Sequence, residues 1–388
     1  MNDEQTAAQI MMEFARRTGI PATAETQQRR YLWTDAFGVC NYLTLYQQSG
    51  RDEYLDSAVR LVDQVHQVLG RYRPDDPRSG RLSGLDERDG KLHPTAGGLR
   101  IGKKLPERPA DEPYDADLEW DRDGQYYHYL TKWMHGLCQI GRVTGKPTYT
   151  AWAAELAARA HKAFSHDGDN NPKRLYWKMS IDLSRPQVDS MGHHDPLDGL
   201  LTCVEIRDQA VRLPSAAPYD LSVEIKELAD MCRRVNWTTP DPLGLGGLLG
   251  DAWRLAQLQG IKAGIALPGL LTNMLDAAGV GLSLYTRDNS MHLEAASRLA
   301  FRELGLSIGL QAIARIETLV TGQPDHFRHE SGLLPLLENL KQYIPLQEQI
   351  EQFWLNEENR ESPSWKEHGD INMVMLATSL VPDCYLDL

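Results

Sequence analysis

Two histidines and two aspartates stand within six residues, at His193, His194, Asp195 and Asp198. Pro196 and the apolar residues after it indicate that a helix begins here, with Asp195 as its N-cap. Neutral histidine can transfer protons near pH 7, and a neighbouring carboxylate fixes its tautomer. Adjacent histidines in an extended stretch point apart, so we expect no metal here. The stretch is a candidate for general acid–base chemistry.

Similar groups of polar and aromatic residues stand at two earlier helix starts. Trp33 and Asp35 open the first, where an aspartate on an apolar helix either lines a cavity or caps nearby backbone. At the start of the second helix stands a set of carboxylates and aromatic rings of the kind that bind sugars, namely Trp120, Asp121, Asp123, Tyr127 and His128. One of those two aspartates can be a plain N-cap. His128, Lys132 and His135 share one helix face at i, i+4 and i+7, which suits a cavity wall.

Two later stretches carry further candidates. His292 precedes a helix predicted at 291–321, and Trp365 and His368 precede one at 370–380. Asp370 can be explained as an N-cap, whereas His368 cannot. We therefore add His292, Trp365 and His368 to the candidate site.

The elements that must position these residues are helices, because the helical period dominates the chain. Segment 28–49 is apolar on nearly every side, which predicts burial all round, whereas 52–70 has one apolar stripe. The pair recurs at 126–144 and 148–164, with matching joints of the form Gly-Arg/Lys-x-x-Tyr that indicate an internal repeat. Continued along the chain, the pattern predicts six inner and six outer antiparallel helices. This is an all-α (α/α)6 toroid forming a single domain over 1–388.

Loop lengths predict where the site lies. Joints from inner to outer helices are short, at 50–52, 145–147 and about 213–218 and 261–265, whereas the return loops are often long. Long loops are usually functional or disordered. They all fall at the N-termini of the inner helices, which predicts an active-site mouth on that face. The longest, 72–125, is either a lid or substrate clamp or a mobile solvated insertion.

Composition excludes several classes of function. The 388 residues carry a net charge of −13 and no basic run, which argues against a nucleic-acid partner. No apolar run reaches the ~18 residues of a membrane span. The N-terminus has no signal-peptide pattern, and Cys40, Cys138 and Cys203 fit as core residues, so we expect a cytoplasmic location. The zinc motifs CxxC and HExxH are absent, and we expect no metal and no cofactor.

The alternating helical pattern, with aromatic and acidic residues at inner-helix starts, resembles the six-hairpin glycosidase superfamily. That group includes unsaturated glucuronyl hydrolases, other glycoside hydrolases, and the N-acylglucosamine and cellobiose 2-epimerases. Trp365-Lys366-Glu367-His368 looks like the late Trp-Lys…His stretch of the aldose epimerases. The resemblance implies a toroid acting on saccharides, with His368 in the position of one of the two epimerase histidines.

The preferred interpretation is a glycoside hydrolase acting on a small saccharide. The sequence leaves a homo-oligomer open. A protonated carboxyl and a second carboxylate would come from Asp35, Asp121, Asp123, Asp195 and Asp198, and Trp33, Trp120 and Tyr127 would stack on the sugar. The alternative is a cofactor-free sugar 2-epimerase or isomerase, in which His368 acts with His194 or His292. A non-catalytic binding or scaffold protein is the third interpretation.

Overall fold

The chain is helical almost throughout. A computed structural model describes residues 2–20, 28–168, 173–213, 220–233, 235–261, 263–264 and 267–388. The helices up to residue 231 are α1 (Asp3–Thr18), α2 (Leu32–Ser49), α3 (Asp52–Val68), α4 (Glu87–Leu92), α5 (Ala116–Asp121), α6 (Tyr127–Thr144), α7 (Pro147–Phe164), α8 (Asp195–Arg212) and α9 (Ser222–Met231). The short joints predicted at 213–218 and 261–265 lie mainly outside the described residues.

The described residues form two compact units. Unit 1 comprises Met1–Phe14, Gln47–Ser49 and Arg234–Leu388, and unit 2 comprises Ala15–Tyr46 and Gly50–Arg233. The prediction of a single domain over 1–388 stays a prediction.

The alternation of inner and outer helices in unit 2 follows the predicted burial. Every residue of α2 from Leu32 to Leu45 is buried, whereas α3 buries one face only. The two joints also match the prediction, because Gly50 and Gly145 end α2 and α6 with φ of 69° and 66°. These left-handed angles favour glycine, which has no Cβ to clash.

Short strands connect the helices of unit 2. They are β1 (Gln125–Tyr126), β2 (Ser165–Asp167), β3 (Lys173–Leu175), β4 (Lys178–Met179) and β5 (Pro186–Val188). The order β1–β4–β5 is antiparallel, and Tyr126 lies opposite Lys178. This pairing brings the segment after α7 against the start of α6.

The segment 72–125 is fixed to the rest of unit 2 by arginine side chains. Arg100 donates to the carbonyl oxygen of Val68 at 2.9 Å and also pairs with the fully buried Asp123, and Arg78 pairs with Asp182. Buried, hydrogen-bonded charges of this kind are costly to separate. These contacts argue against a mobile solvated insertion, and the role of the segment as a lid or substrate clamp stays a prediction.

Unit 1 contains the remaining helices. They are α10 (Pro242–Gly260), α11 (Leu270–Arg287), α12 (Ala300–Gly322), α13 (Leu333–Leu340), α14 (Pro345–Leu355), α15 (Glu357–Arg360), α16 (Pro363–Glu367), α17 (Gly369–Leu380) and α18 (Asp383–Leu386). The helix predicted at 330–357 is broken by a 3-10 turn at Lys341–Tyr343 before Pro345, since proline cannot donate the backbone hydrogen bond that a continuous helix needs.

The helix predicted at 291–321 begins nine residues later, and this prediction was wrong at its N-terminus. Residues Asn289–His292 form a 3-10 turn, and α12 starts at Ala300. The guanidinium of Arg298 donates to the carbonyl of Met291 and pairs with Glu303, which holds this segment outside the helix. His292 therefore does not open α12.

By length and composition alone, helix α12 could cross a membrane. The expectation that no segment of the chain could do so is therefore not met. Its most apolar window is 61% buried within the structure, and a core helix passes the same test. In unit 1 it packs closely on α10 through glycines. A Cβ on Gly246 would lie 1.9 Å from the carbonyl oxygen of Gly305, and one on Gly309 would lie 2.4 Å from that of Gly246.

We expect Gly246→Ala to destabilise the protein by about 3 kcal/mol, because the added methyl group meets backbone that cannot give way. Gly247→Ala is the matched control, since nothing lies within 4 Å of its Cβ position, and it should stabilise α10 by about 0.5–1 kcal/mol. Denaturant unfolding of both variants checks this. Equal stability of the two variants would contradict the close packing of α10 on α12.

Candidate active site

The first turns of three buried helices meet in unit 2. The rings of Trp33, from α2, and His128, from α6, lie 6.1 Å apart between centroids. The Nδ1 atom of His128 lies 3.7 Å from Oδ1 of Asp195, the first residue of α8. Helix N-termini carry partial positive charge, so this junction favours anionic and electron-rich groups.

Asp195 is the most unusual carboxyl group at the junction. It is 5% exposed, and its Oδ2 atom is buried without a hydrogen-bond partner among the described residues. Burial, and secondarily the negative charge of Asp198, raises the pKa of Asp195 to about 7, although a backbone hydrogen bond from Gly192 opposes the shift. Asp195 was predicted as an N-cap, but the N-cap is His194 and no side chain caps the helix. The carboxyl group is thus available for other contacts.

Asp198 lies one turn further along α8 in a different environment. Its Oδ1 atom accepts a hydrogen bond from the ammonium of Lys132 at 3.1 Å, and Oδ2 accepts one from the hydroxyl of Thr131. The ammonium of Lys132 compensates the negative charge of Asp198. Among the described residues, the one basic side chain within ion-pair distance of Asp195 is His128. The two carboxyl groups are therefore equipped for different roles, one proton-bearing and one charged.

His128 does not supply that positive charge. Burial, with a smaller contribution from Lys132, lowers the pKa of His128 to about 4, so the ring is neutral at pH 7. Its Nδ1 atom and the indole Nε1 of Trp33 are both buried without hydrogen-bond partners among the described residues. Buried polar atoms are seldom left unpaired in folded proteins. Together with Oδ2 of Asp195, they form a set of three polar atoms that a hydroxyl-rich ligand could satisfy.

An aromatic wall, which we define as Trp33, Tyr126, His128, Tyr129 and Trp177, surrounds these atoms. Tyr126 and Trp177 each stack on His128, at centroid distances of 5.4 and 6.3 Å. Tyr129 contacts both Trp33 and His128, at 5.2 and 4.9 Å. Trp120 extends the wall outward, 6.3 Å from Trp177 and half exposed. Flat apolar rings beside unpaired polar atoms suit a sugar ring, which has both C–H faces and hydroxyl edges.

Other predicted residues in unit 2 have structural partners. Asp35 pairs with Arg30 and accepts a hydrogen bond from the backbone N–H of Tyr31. Asp123 pairs with Arg100 and accepts a hydrogen bond from the N–H of Gly102. These contacts are structural, in line with the backbone-capping role that the sequence allowed, and we leave both residues out of the proposed catalytic pair.

The remaining unit 2 candidates fall at the margins of the junction. Asp121 is exposed at the end of α5. Tyr127 is buried and packs edge-on against Phe164, so it belongs to the core and offers no stacking face. His193 is exposed and His194 half-buried, with ring centroids 4.6 Å apart, directly before Asp195.

The three unit 1 candidates have separate environments. Trp365 stacks on Trp354 and is buried, and His368 contacts the ring of Phe301 at 5.4 Å. His292 is exposed on its 3-10 turn. No group of three potential metal-ligating side chains is arranged to hold an ion in the described part of the chain.

Three members of the aromatic wall, Tyr126, Tyr129 and Trp177, were not among the predicted site residues. Trp177 precedes β4, and only the pairing of β4 with β1 brings it to His128. Tyr129 looked like part of the apolar face of α6, and its contact with Trp33 depends on how α2 packs against α6. Neither contact has a local signal in the sequence.

Comparison with solved structures shows the fold. The chain is similar to a sugar epimerase from a ruminal bacterium, at 11% identity and a TM-score of 0.51, with 96% of this chain and 98% of that chain covered. It is also similar to an α-1,6-mannanase of glycoside hydrolase family 76 from a Salegentibacter species, solved as an inactive variant with α-1,6-mannotetrose. That match has 10% identity and a TM-score of 0.53, with 98% of this chain and 100% of that chain covered. A third similar structure is a D-mannose isomerase, at 13% identity and a TM-score of 0.52, with 97% of this chain and 96% of that chain covered.

These likenesses span nearly the whole length of each chain. The protein therefore has the all-α (α/α)6 fold, which confirms the fold predicted from the sequence. No protein-family model and no curated protein matches the sequence.

The raised pKa of Asp195 makes stability depend on pH. Because its folded-state value of about 7 exceeds the unfolded value of about 3.9, the folded protein binds more protons between these values, and stability falls as pH rises from about 4 to 7. Asp195→Asn removes the titrating group, so the variant does not lose stability in this way. We expect the difference in free energy of unfolding, variant minus wild type, to be larger at pH 8 than at pH 5 by on the order of 2 kcal/mol.

Thermal or denaturant unfolding at both pH values checks this prediction, with the exposed Asp56→Asn as the matched loss of one carboxylate. The same difference from wild type at pH 5 and pH 8 would show that Asp195 carries no raised pKa.

Proposed function

We propose that the protein is a carbohydrate-active enzyme, and that its site is the junction of α2, α6 and α8 in unit 2. The observation that carries the proposal is the carboxyl group of Asp195. It is buried next to an aromatic wall, one of its oxygens has no hydrogen-bond partner among the described residues, and its pKa is raised to about 7. Perturbed carboxyl groups of this kind are typical of catalytic sites.

The chemistry that fits best is hydrolysis of a glycosidic bond. Asp195, protonated below about pH 7, would donate its proton to the glycosidic oxygen as the bond to the anomeric carbon breaks. Asp198, whose charge is compensated by Lys132, would either activate a water molecule or attack the anomeric carbon. In the first route Asp198 takes a proton from the water that attacks the anomeric carbon. In the second it forms a glycosyl ester, and water, which gives a proton to Asp195, then hydrolyses that ester and frees Asp198.

The binding of the sugar would use the aromatic wall and the three unpaired polar atoms. Trp33 and Trp177 offer ring faces for stacking, while Nε1 of Trp33 and Nδ1 of His128 could bond to sugar hydroxyls. A hydroxyl that satisfies a buried unpaired group contributes specificity, since an analogue without it leaves that group unpaired.

The comparison with the mannanase supports this class but not an identical arrangement. Its inactive variant has two neighbouring aspartates replaced by alanine. In this chain the one pair of adjacent aspartates is Asp75 and Asp76, which are bound by Arg73 and Arg78 respectively. We therefore propose Asp195 and Asp198, three residues apart on α8, as the acid and its partner.

A second candidate function is sugar 2-epimerisation or isomerisation. It is favoured by the likeness to a sugar epimerase and a D-mannose isomerase, and by the half-buried His368 beside Phe301 in unit 1. In this function histidine would remove and return the proton next to an opened carbonyl group. Asp195 would then contribute little.

One pair of variants separates the two functions. We expect Asp195→Asn to lower kcat for glycoside cleavage by about 10²–10⁴-fold, the usual contribution of a general acid, while His368→Ala and the exposed control Asp56→Asn stay near wild type. Reducing-end release from α-mannosides and other oligosaccharides, with NMR detection of epimers, measures both reactions. Wild-type kcat should also fall as pH rises above about 7, where Asp195 loses its proton.

The reverse pattern, with activity lost in His368→Ala and kept in Asp195→Asn, would contradict the hydrolase function and support the epimerase function. Saccharide binding without turnover in the wild type would favour the third interpretation, a binding protein.

A further inference from the structure

Beyond the aromatic wall, Lys103 lies over the rings of Trp120 and Tyr31, with no counter-ion among the described residues. The Nζ atom of Lys103 lies 4.8 Å from the ring centroid of Trp120 and 5.7 Å from that of Tyr31. Within the described residues, no carboxylate lies within ion-pair distance of it. Asp121 and Asp123 act on it at longer range, and Lys178 repels it. A half-buried ammonium over two rings is a partly desolvated charge, which an anion could pair with.

The backbone around Lys103 is fixed on both sides. Its N–H donates to Oδ1 of Asp123, and its carbonyl oxygen accepts a hydrogen bond from Arg73 at 2.6 Å. Asp123 is itself buried and held by Arg100. The side chain therefore projects from a rigid base, which reduces the entropy lost when it binds a ligand.

Ring contacts connect Lys103 to the catalytic junction. Trp120 contacts Trp177, which stacks on His128, and Tyr31 contacts Tyr129, whose hydroxyl lies 2.7 Å from that of Tyr31. Lys103 is thus separated from the junction by two rings along either route. A group bound at Lys103 would belong to a sugar unit beside the one at Asp195.

We propose that Lys103 binds an anionic group of the substrate, so that the saccharide taken by this site carries a carboxylate, sulfate or phosphate on a unit next to the bond that reacts. This inference rests on the proposed saccharide site. The chain has a net charge of −13, which repels anions at long range, so an anionic ligand would need a specific local cation. Lys103 is that cation.

Burial lowers the pKa of Lys103 to about 8, although Asp121 and Asp123 oppose the shift. The ammonium is therefore charged at pH 7 and loses its charge at higher pH. Anion binding should weaken as pH rises above about 8 and as salt concentration rises, because both reduce the attraction.

The test measures binding of matched neutral and anionic sugars by calorimetry, in the wild type and in Asp195→Asn, which prevents turnover. Each oligosaccharide of glucose, mannose or galactose is paired with the corresponding oligouronate, which carries carboxylates. Glucose 6-sulfate and glucose 6-phosphate are each compared with glucose, so that carboxylate, sulfate and phosphate are tested separately. We expect at least one anionic member to bind about tenfold or more tightly than its neutral counterpart. Lys103→Met, which keeps the apolar stem, should abolish this preference, and Lys103→Arg should retain part of it.

Lys104→Met is the control, because it removes the same charge from the neighbouring exposed residue. The proposal is overturned if no anionic member is preferred, if Lys104→Met has the same effect as Lys103→Met, or if Lys103→Met weakens neutral and anionic sugars equally. The outcome is separate from that of the proposed function. Anion preference that depends on Lys103, in a protein whose activity survives Asp195→Asn, would refute only the catalytic assignment.

Discussion

The site depends on a charge imbalance at the start of α8. Two carboxyl groups, Asp195 and Asp198, are buried one turn apart, and the ammonium of Lys132 pairs with Asp198. Burial disfavours the charged form of Asp195, and the negative charge of Asp198 disfavours it further. The pKa of Asp195 is therefore raised to about 7, so its carboxyl group keeps its proton to a higher pH than an ordinary aspartate does. The neutral ring of His128 preserves this imbalance, since a protonated histidine there would remove it.

The surrounding structure separates carboxylates that support the fold from those available for chemistry. Asp123 accepts hydrogen bonds from Arg100 and from backbone N–H groups, and Asp35 is held by Arg30. Both are as buried as Asp195, but each lies beside the guanidinium of a buried arginine. Asp123 also anchors the segment that carries Lys103 and leads to Trp120. Burial alone does not mark a catalytic carboxylate; burial without a neighbouring arginine does so better.

Much of this arrangement could be predicted from the sequence where its cause is local. Helix periodicity and the glycine joints located α6 and α7 almost to the residue, and Pro196 located the start of α8. Residue types at helix starts selected Trp33, His128, Asp195 and Asp198. The start of α12 was missed because Arg298 holds the preceding segment through side-chain contacts that no period reveals. Trp177 was missed because it reaches the site through the pairing of two-residue strands far apart in sequence. Which aspartates are engaged likewise depends on arginines distant in the chain.

The most direct test of the account is the protonation state of Asp195 itself. Difference infrared spectroscopy between pH 5 and pH 8, comparing wild type with Asp195→Asn, detects the C=O stretch of a protonated carboxyl group that the variant lacks. The account predicts a buried carboxylic acid that loses its proton with a midpoint near pH 7. A signal that titrates near pH 4, the ordinary range of aspartate, would contradict it and leave the junction without its acid.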